Sequence, residues 1–260
     1  MLSDADRNKA ADILIEARKT RRQAVQLSTT YPGITIEDAY AISTLVHKRA
    51  LAAGRKLIGH KVGLTSKAMQ RSSNIDEPDF GYLHDDMIVA DGAKLAHADF
   101  CKPRIEVELA FVLGKRLQGP GVSLTDVLAA TDYVVPALEI VDARVQDQRK
   151  IFDTVADNGA AAGIVMGGRP VRPMDIDLRW VGGIMYKNSE IEETGLAAGV
   201  LGHPAMGVAW LANKVGSMGT PLEPGHVVLA GSFTRVVFAA KGDTVHGDFG
   251  PLGGISVQFV

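Results

Sequence analysis

The chain has 260 residues, with 28 Lys and Arg against 30 Asp and Glu, 46% hydrophobic residues and a formal net charge of −2. That composition fits an ordinary globular protein with a sizeable core and leaves no basic footprint for nucleic acid or an anionic membrane surface. The single cysteine, Cys101, excludes an internal disulfide framework. No stretch approaches the apolar length of a membrane span, and M-L-S-D-A-D-R-N-K lacks a signal-peptide layout, so a cytoplasmic protein is expected.

Taken in order, Ser3 to about Leu27 is helix-like, with Ser3 as N-cap and Asp4 and Asp6 in the first turn. Tyr31-Pro32-Gly33 breaks it. Thr35 and Asp38 form a capping-box pattern that opens a second helix to about Ala53, ended by Gly54. These helices form an N-terminal cap packed on the rest of the chain. From Lys56 the pattern changes to short strands: Leu57 to Leu64 alternates loosely, and Thr65-Ser66-Lys67 leads into a helical turn without the spacing of a phosphate loop. Asn74 to Leu83 reads as a polar surface loop carrying Asp79 beside Phe80 and Tyr82, apolar company that can raise a carboxylate's pKa; Asp79 can equally be a turn residue.

Arg104 to Leu113 is the most informative stretch. Ile105, Val107, Leu109, Phe111 and Leu113 occupy every second position, the pattern of a half-buried strand, so Glu106 and Glu108 point together to the other face. Two residues along a strand span roughly 6.5 to 7 Å, close enough for both side chains to converge on one cation. An exposed edge strand with solvated carboxylates is the plainer alternative. Val134 to Val141 reads as a buried strand carrying Glu139. Three such glutamates without interleaved His or Cys suit Mg²⁺, Mn²⁺ or Ca²⁺ rather than Zn²⁺.

Ser123 starts a short helix before the Glu139 strand, and Asp142 to Asn158 is an irregular charged segment that could cover a pocket. Gly159 to Met166 is built of small residues. Met185 to Glu193 reads as a hairpin around Lys187-Asn188-Ser189, Pro204 to about Asn213 as a helix, and the tail as strands at 226–230, 234–239, 243–248 and 255–260. Gly195, Gly199 and Gly202 do not form a dinucleotide fingerprint. The sum is an α+β chain whose larger part is a curled, mostly antiparallel sheet assembly.

The strings G-H-K-V-G-L-T-S-K (59–67), E-P-D-F-G (77–81), R-I-E-V-E-L-A-F-V-L (104–113), T-D-Y-V-V-P-A-L-E-I-V-D-A-R (131–144), V-A-D-N (155–158), L-G-H-P-A-M-G-V-A-W-L-A-N-K (201–214) and G-S-F-T-R (231–235) resemble the hydratase and decarboxylase branch of the fumarylacetoacetate hydrolase superfamily. The resemblance spans nearly the whole chain. It implies a mixed β-roll catalytic domain over 56–260 behind a helical cap over 1–55, Mg²⁺ or Mn²⁺ held by Glu106, Glu108 and Glu139, a catalytic Lys61 with Asp79 as loop acid, and assembly as a homo-oligomer.

The activity it implies is metal-dependent addition of water to a 2-hydroxydienoate or 2-oxo-enoate of the 2-oxo-hept-4-ene-1,7-dioate type, giving a 4-hydroxy-2-oxo acid in aromatic-compound degradation. The alternatives are hydration of a monocarboxylic 2-hydroxypenta-2,4-dienoate, favoured by a 142–150 segment shorter than in heptenedioate-specific members, and decarboxylation of 4-oxalocrotonate. Hydrolysis of a carbon–carbon bond would ask for a His-carboxylate pair, and no His motif stands at matching spacing. In this reading Lys61 is a proton shuttle whose pKa is lowered by burial near a cation. Asn158, Ser232 and Thr234 are candidate hydrogen-bonding groups for substrate or water. Arg144 and Arg235 are the candidate clamps for a distal carboxylate. His60 belongs on the opposite side of its strand from Lys61 and is a secondary substrate-binding candidate.

Overall fold

The computed structural model describes residues 1–72 and 75–260. Ser3 caps helix α1, Asp4–Thr20, by accepting from the N–H of Asp6. The helix ends short of the expected Leu27 because Arg21 turns left-handed and Ala24 leaves to bridge Val145. A single turn, α2, Leu27–Thr30, precedes α3, Ile36–Ala52, whose Thr35 and Asp38 capping box forms as read. Buried Asp38 also accepts from Arg7 and from the N–H of Leu2, which ties the two long helices together.

The rest of the chain runs β1 Leu57–Gly63, α4 Lys67–Ser72, β2 Asp79–His84, β3 Ile88–Val89, β4 Ala93–Leu95, β5 Pro103–Leu113, α5 Leu124–Ala130, β6 Thr131–Asp142, α6 Ile151–Ala156, β7 Ala161–Met166, β8 Gly182–Lys187, β9 Glu190–Leu196, α7 Pro204–Ser217, β10 Val227–Leu229, β11 Val237–Phe238, β12 Thr244–Asp248 and β13 Gly254–Phe259. An eight-stranded sheet has the order β2-β1-β10-β5-β6-β7-β3, with β11 added beside the start of β5. A five-stranded sheet has the order β4-β13-β12-β8-β9. Most pairings are antiparallel. The parallel β1–β10 pair brings backbones so close that a Cβ on Gly59 would fall 1.8 Å from the Val227 carbonyl oxygen, and Gly59 sits at φ +154°.

The central pair β5–β6 is buried on both faces, which excludes the exposed-edge reading of the glutamate strand. On one face Val107 and Leu138 pack towards the five-stranded sheet: a Cβ on Gly183 would meet Val107 at 2.5 Å and one on Gly247 would meet Leu138 at 3.1 Å. The other face carries Glu106, Glu108 and Glu139, followed by a second apolar cluster that includes Ala110, Ala137, Val135 and Leu229.

Two expectations need correction. The loop expected over Asn74 to Leu83 is strand from Asp79 onward, because Phe80 and Tyr82 pack on the main core while Gly81 faces Asn158 and Lys61 and Leu83 joins the second cluster, so burial on both sides erases the polar alternation. Asn74 itself lies outside the described residues. The segment Asp142 to Asn158 is not an irregular cover: Arg144 and Gln146 bond the backbone of Ala24, and Ile151–Ala156 is helical, anchored by buried Asp153 accepting from Ser28 and from the N–H of Lys150.

Candidate metal centre

Register places Glu106 directly opposite Glu139 on β5 and β6, with Glu108 one pleat further along the same face. One carboxylate oxygen from each lies within 4.8 Å of the other two. Glu108 and Glu139 are fully buried, and half-buried Glu106 is the member open to solvent. Glu108 Oε2 accepts from the N–H of Gly231 at 2.9 Å, but among the described residues its Oε1 and Glu139 Oε2 have no partner, and Glu139 Oε1 has only the Lys61 ammonium beside it. Burial raises the pKa of all three, and for Glu108 the charges of Glu139 and Glu106 add to it. Buried acceptors without donors are costly. A hard divalent cation bound by oxygen satisfies them at once, so the residues present fit such an ion.

Lys61 reaches this cluster from β1, its ammonium 3.3 Å from Glu139 Oε1. In the sheet order β10 and β5 stand between β1 and β6. At about 4.8 Å per strand, three strand spacings are roughly 14 Å, a gap that the long lysine side chain and the glutamate side chain span from its two sides, in a sheet curled enough that β2 also touches β7. Glycines wall the lysine's path. A Cβ on Gly159 would meet Lys61 Cδ at 3.1 Å. One on Gly81 would meet the Asn158 carbonyl oxygen at 2.2 Å, and one on Gly63 would meet Asp79 Oδ1 at 2.2 Å. Gly159 lies at φ +60° between Asn158 and Ala160, both also left-handed.

Asp79 is 2% exposed and pairs with Gly63 across β1–β2, on the face that carries Lys61. Burial raises its pKa, with Lys61 and the N–H of Gly63 opposing, and its Oδ1 has no hydrogen-bond partner. Burial alone would lower the pKa of Lys61, but Glu139, Asp79, Glu106 and Glu108 outweigh it and the net shift is upward. The expected lowering is thus reversed in the metal-free protein, because the carboxylates hold the ammonium charged.

The remaining candidates sit elsewhere. His60 points to the opposite face from Lys61, fully buried against Phe80, Tyr82 and His226, with neither ring nitrogen hydrogen-bonded among the described residues. Arg144 is 6% exposed and committed to Asp157 and to the carbonyls of Asp142, Asp157 and Ala161, so its guanidinium is structural. Arg235 is exposed and pairs with Glu193 at 2.8 Å. Asn158 clamps Tyr82, accepting from its N–H at 2.7 Å and donating to its carbonyl at 2.9 Å. Ser232 donates to the carbonyls of Val107 and Thr234, in the same loop whose Gly231 holds Glu108; Thr234 donates its N–H to Ser232 Oγ. Burial pushes the Cys101 thiol up to about 11, which keeps it a protonated, unreactive thiol near neutral pH.

Arg104 was not singled out from the sequence, although the alternation that aligns Glu106 with Glu108 aligns Arg104 with both. It is half-buried on β5, its guanidinium 5.4 Å from the Phe238 ring centroid and its Nε buried without a partner. Among the described residues no carboxylate stands within ion-pair distance of it.

Fold and centre together define a class: a curled β-sheet scaffold with a buried all-carboxylate metal centre and a lysine seated beside it. The sequence profile described as Fumarylacetoacetate (FAA) hydrolase C-terminal matches residues 49–260, and the chain belongs to that family, in its hydratase and decarboxylase branch. Over 257 residues it is 56% identical to 2-oxo-hept-4-ene-1,7-dioate hydratase of Escherichia coli, covering 96% of each chain. Over 249 residues it is 44% identical to 2-hydroxyhexa-2,4-dienoate hydratase of Comamonas testosteroni, covering 95% of this chain and 94% of that one. The solved structure of 4-oxalocrotonate decarboxylase from Pseudomonas putida G7, complexed with magnesium and adipate, matches with a TM-score of 0.97 at 33% identity, over 100% of this chain and 99% of that one.

Proposed function

We propose that this chain is a divalent-metal-dependent hydro-lyase that adds water to a 2-hydroxydienoate or its 2-oxo-enoate tautomer, of the 2-oxo-hept-4-ene-1,7-dioate type, to give a 4-hydroxy-2-oxo acid in aromatic-compound degradation. The observation that carries it is the triad of Glu106, Glu108 and Glu139, which offers one carboxylate oxygen each within 4.8 Å of the others, beside Lys61, and leaves Glu108 Oε1 and Glu139 Oε2 buried without a partner among the described residues. Bound by that triad, Mg²⁺ or Mn²⁺ would supply a Lewis acid for the paired oxygens of a 2-oxo acid. Lys61 is the proton donor and acceptor. Its charge is fixed by the carboxylates, and once their charge is balanced by a cation, burial and Asp79 remain as the opposing influences on its proton. Asp79, with one oxygen unbonded, orients Lys61 and the attacking water. Arg104, on the glutamate face and without a carboxylate partner among the described residues, is the group we assign to the distal carboxylate.

The experiment is direct. Incubation with the seven-carbon 2-hydroxydienoate and Mg²⁺ is expected to bleach the dienoate absorbance and yield a 4-hydroxy-2-oxo acid without CO₂, whereas CO₂ release would make the chain a decarboxylase. That second reading is favoured by the 0.97 TM-score to 4-oxalocrotonate decarboxylase; the 56% identity to a hydratase against 33% to the decarboxylase weighs for hydration. A homo-oligomer in the cytoplasm is part of the proposal. Exposed Trp180 and Met174 support a subunit contact, and a lone cysteine supports a reducing compartment. Among the described residues, no helix is long and apolar enough to cross a membrane.

A further inference from the structure

A cavity of about 540 Å³ lies between α1, α3 and the sheet, lined by none of the three glutamates, Lys61 or Asp79. Its walls carry six cationic side chains, Arg18, Lys19, Arg21, Arg49, Arg55 and Arg144, against four carboxylates, in a chain whose net charge is negative. Most of the carboxylate capacity is already committed. Asp157 is bound by Arg144, and Asp142 accepts from the N–H groups of Cys101 and Lys102, which leaves exposed Asp99 as the one lining carboxylate without a side-chain partner among the described residues. Arg49 is drawn off to Asp12. Arg18 and Arg55 share one carboxylate, Asp86, at 3.2 and 3.1 Å. Among the described residues Lys19 and Arg21 have no ion-pair partner.

A second observation comes from an uncharged group. His84 lines the same cavity and is 2% exposed. Its Nε2 lies 2.9 Å from Nδ1 of His47, while its own Nδ1 is buried without a hydrogen-bond partner. If His47 donates to Nε2, the His84 proton sits on Nδ1 and has nothing to meet. Two guanidiniums on one carboxylate, two further cations without any, and a buried imidazole nitrogen without a partner on one wall describe a recess short of anionic acceptors. Burial and the nearby Arg144 and Arg55 pull the Arg18 guanidinium down to about 10, the same imbalance seen from the arginine.

We propose that this cavity is a binding site for a small multivalent oxyanion, a dicarboxylate or phosphate, held by Arg18, Arg21 and Arg55 with His84 Nδ1 donating to it. Guanidinium forks bind such oxygens bidentately, and two or more planar acceptor groups can satisfy several donors at once. The site has a structural link to the catalytic lysine. His47 stacks on Tyr82 at 4.0 Å, Asn158 clamps the Tyr82 backbone and itself lines the cavity, and the adjoining Gly159 packs on the Lys61 stem.

Titration calorimetry with succinate and, separately, inorganic phosphate tests this on the full-length Mg²⁺-loaded protein and on Glu106→Gln, whose metal centre is disabled. Saturable binding of either anion is expected, unchanged by Glu106→Gln and weakened at least tenfold by Arg18→Gln and by Arg21→Gln. Arg21 is exposed and has no ion-pair partner among the described residues, so its replacement reads binding even if Arg18→Gln loosens the cap. Whichever anion binds more tightly identifies the ligand chemistry. Absence of saturable binding, binding indifferent to both arginine variants, or binding lost in Glu106→Gln would overturn the proposal.

Discussion

Glu106→Gln replaces a carboxylate by an amide of nearly the same shape at the solvent-facing member of the triad. Burial already resists the charge of Glu106, so its removal is expected to leave the metal-free melting temperature unchanged or slightly higher. Mg²⁺ is expected to raise the melting temperature of the wild type, by about 2.7 kcal/mol in stability at a hundred times Kd, and not that of the variant. Activity should fall at least 100-fold; equal Mg²⁺ shifts in both proteins would remove Glu106 from the ligand set. Arg104→Met keeps an apolar stem over Phe238 and removes the guanidinium. It should raise KM for the seven-carbon dicarboxylate at least tenfold and change KM for a five-carbon monocarboxylic dienoate little, a comparison that steady-state kinetics decides. Equal effects on both substrates would return Arg104 to a packing role. At this scale period-two alternation was enough to find the glutamates, and followed one step further it would have found Arg104. The roles of Arg144 and Arg235 were not legible, because they depend on Asp157 and Glu193, carboxylates that nothing in the local pattern ties to them.

Strands β1 and β2 show how one element serves two environments. On one face β1 carries Lys61 to the carboxylates; on the other, His60 enters a cluster with Phe80, Tyr82 and His226. Burial pulls the His60 pKa down to about 3 and, at the cap side, that of His47 to about 4; His84 shifts the same way. A histidine whose folded pKa is depressed binds fewer protons folded than unfolded. Its neutral form therefore contributes fully above the unfolded value near 6.5, and that contribution is lost as pH falls from there towards 3. The raised carboxylates of the metal centre push the other way in metal-free protein, so the informative quantity is a difference between two proteins. The melting temperature of metal-free wild type minus that of His60→Leu is expected to fall steadily between pH 7 and pH 4.5. A flat difference would mean that His60 titrates in the fold as it does in the unfolded chain. Sequence reading assigned His60 to the correct side of β1 from alternation alone. It missed β2, whose buried residues on both faces leave no polar rhythm, and α6, two turns too short to show a helical period.

At the scale of the molecule, the order of elements was legible and the closure of the sheet was not. Nothing local in β1 reports that its Lys61 will reach across β10 and β5 to Glu139 on β6, since that follows from sheet twist summed over several strands. The same holds for the expected division into a cap over 1–55 and a catalytic unit over 56–260. We propose that this is a division of role and not of stability. Leu14, Leu27, Ile34 and Ile42 of the cap are buried in the same core as Phe80, Ile105 and Phe111. At about 1.5 to 3 kcal/mol for each fully buried aliphatic side chain, those four alone stabilise the fold by roughly 6 to 12 kcal/mol, as much as the whole net stability of a typical domain. Polar ties run the same way: Ser28 to buried Asp153, Ala24 to Arg144 and Gln146, and Thr44 to Tyr82. A chain beginning at Lys56 would expose the back of the sheet that seats Lys61 and lose the two hydrogen bonds from Ser28 to buried Asp153. Expressed alone it is expected to lack near-ultraviolet circular dichroism and a cooperative melt, and to bind a hydrophobic dye. A cooperative transition in that fragment, with Mg²⁺ still raising its melting temperature, would show that the strand assembly and its metal centre stand without the helices.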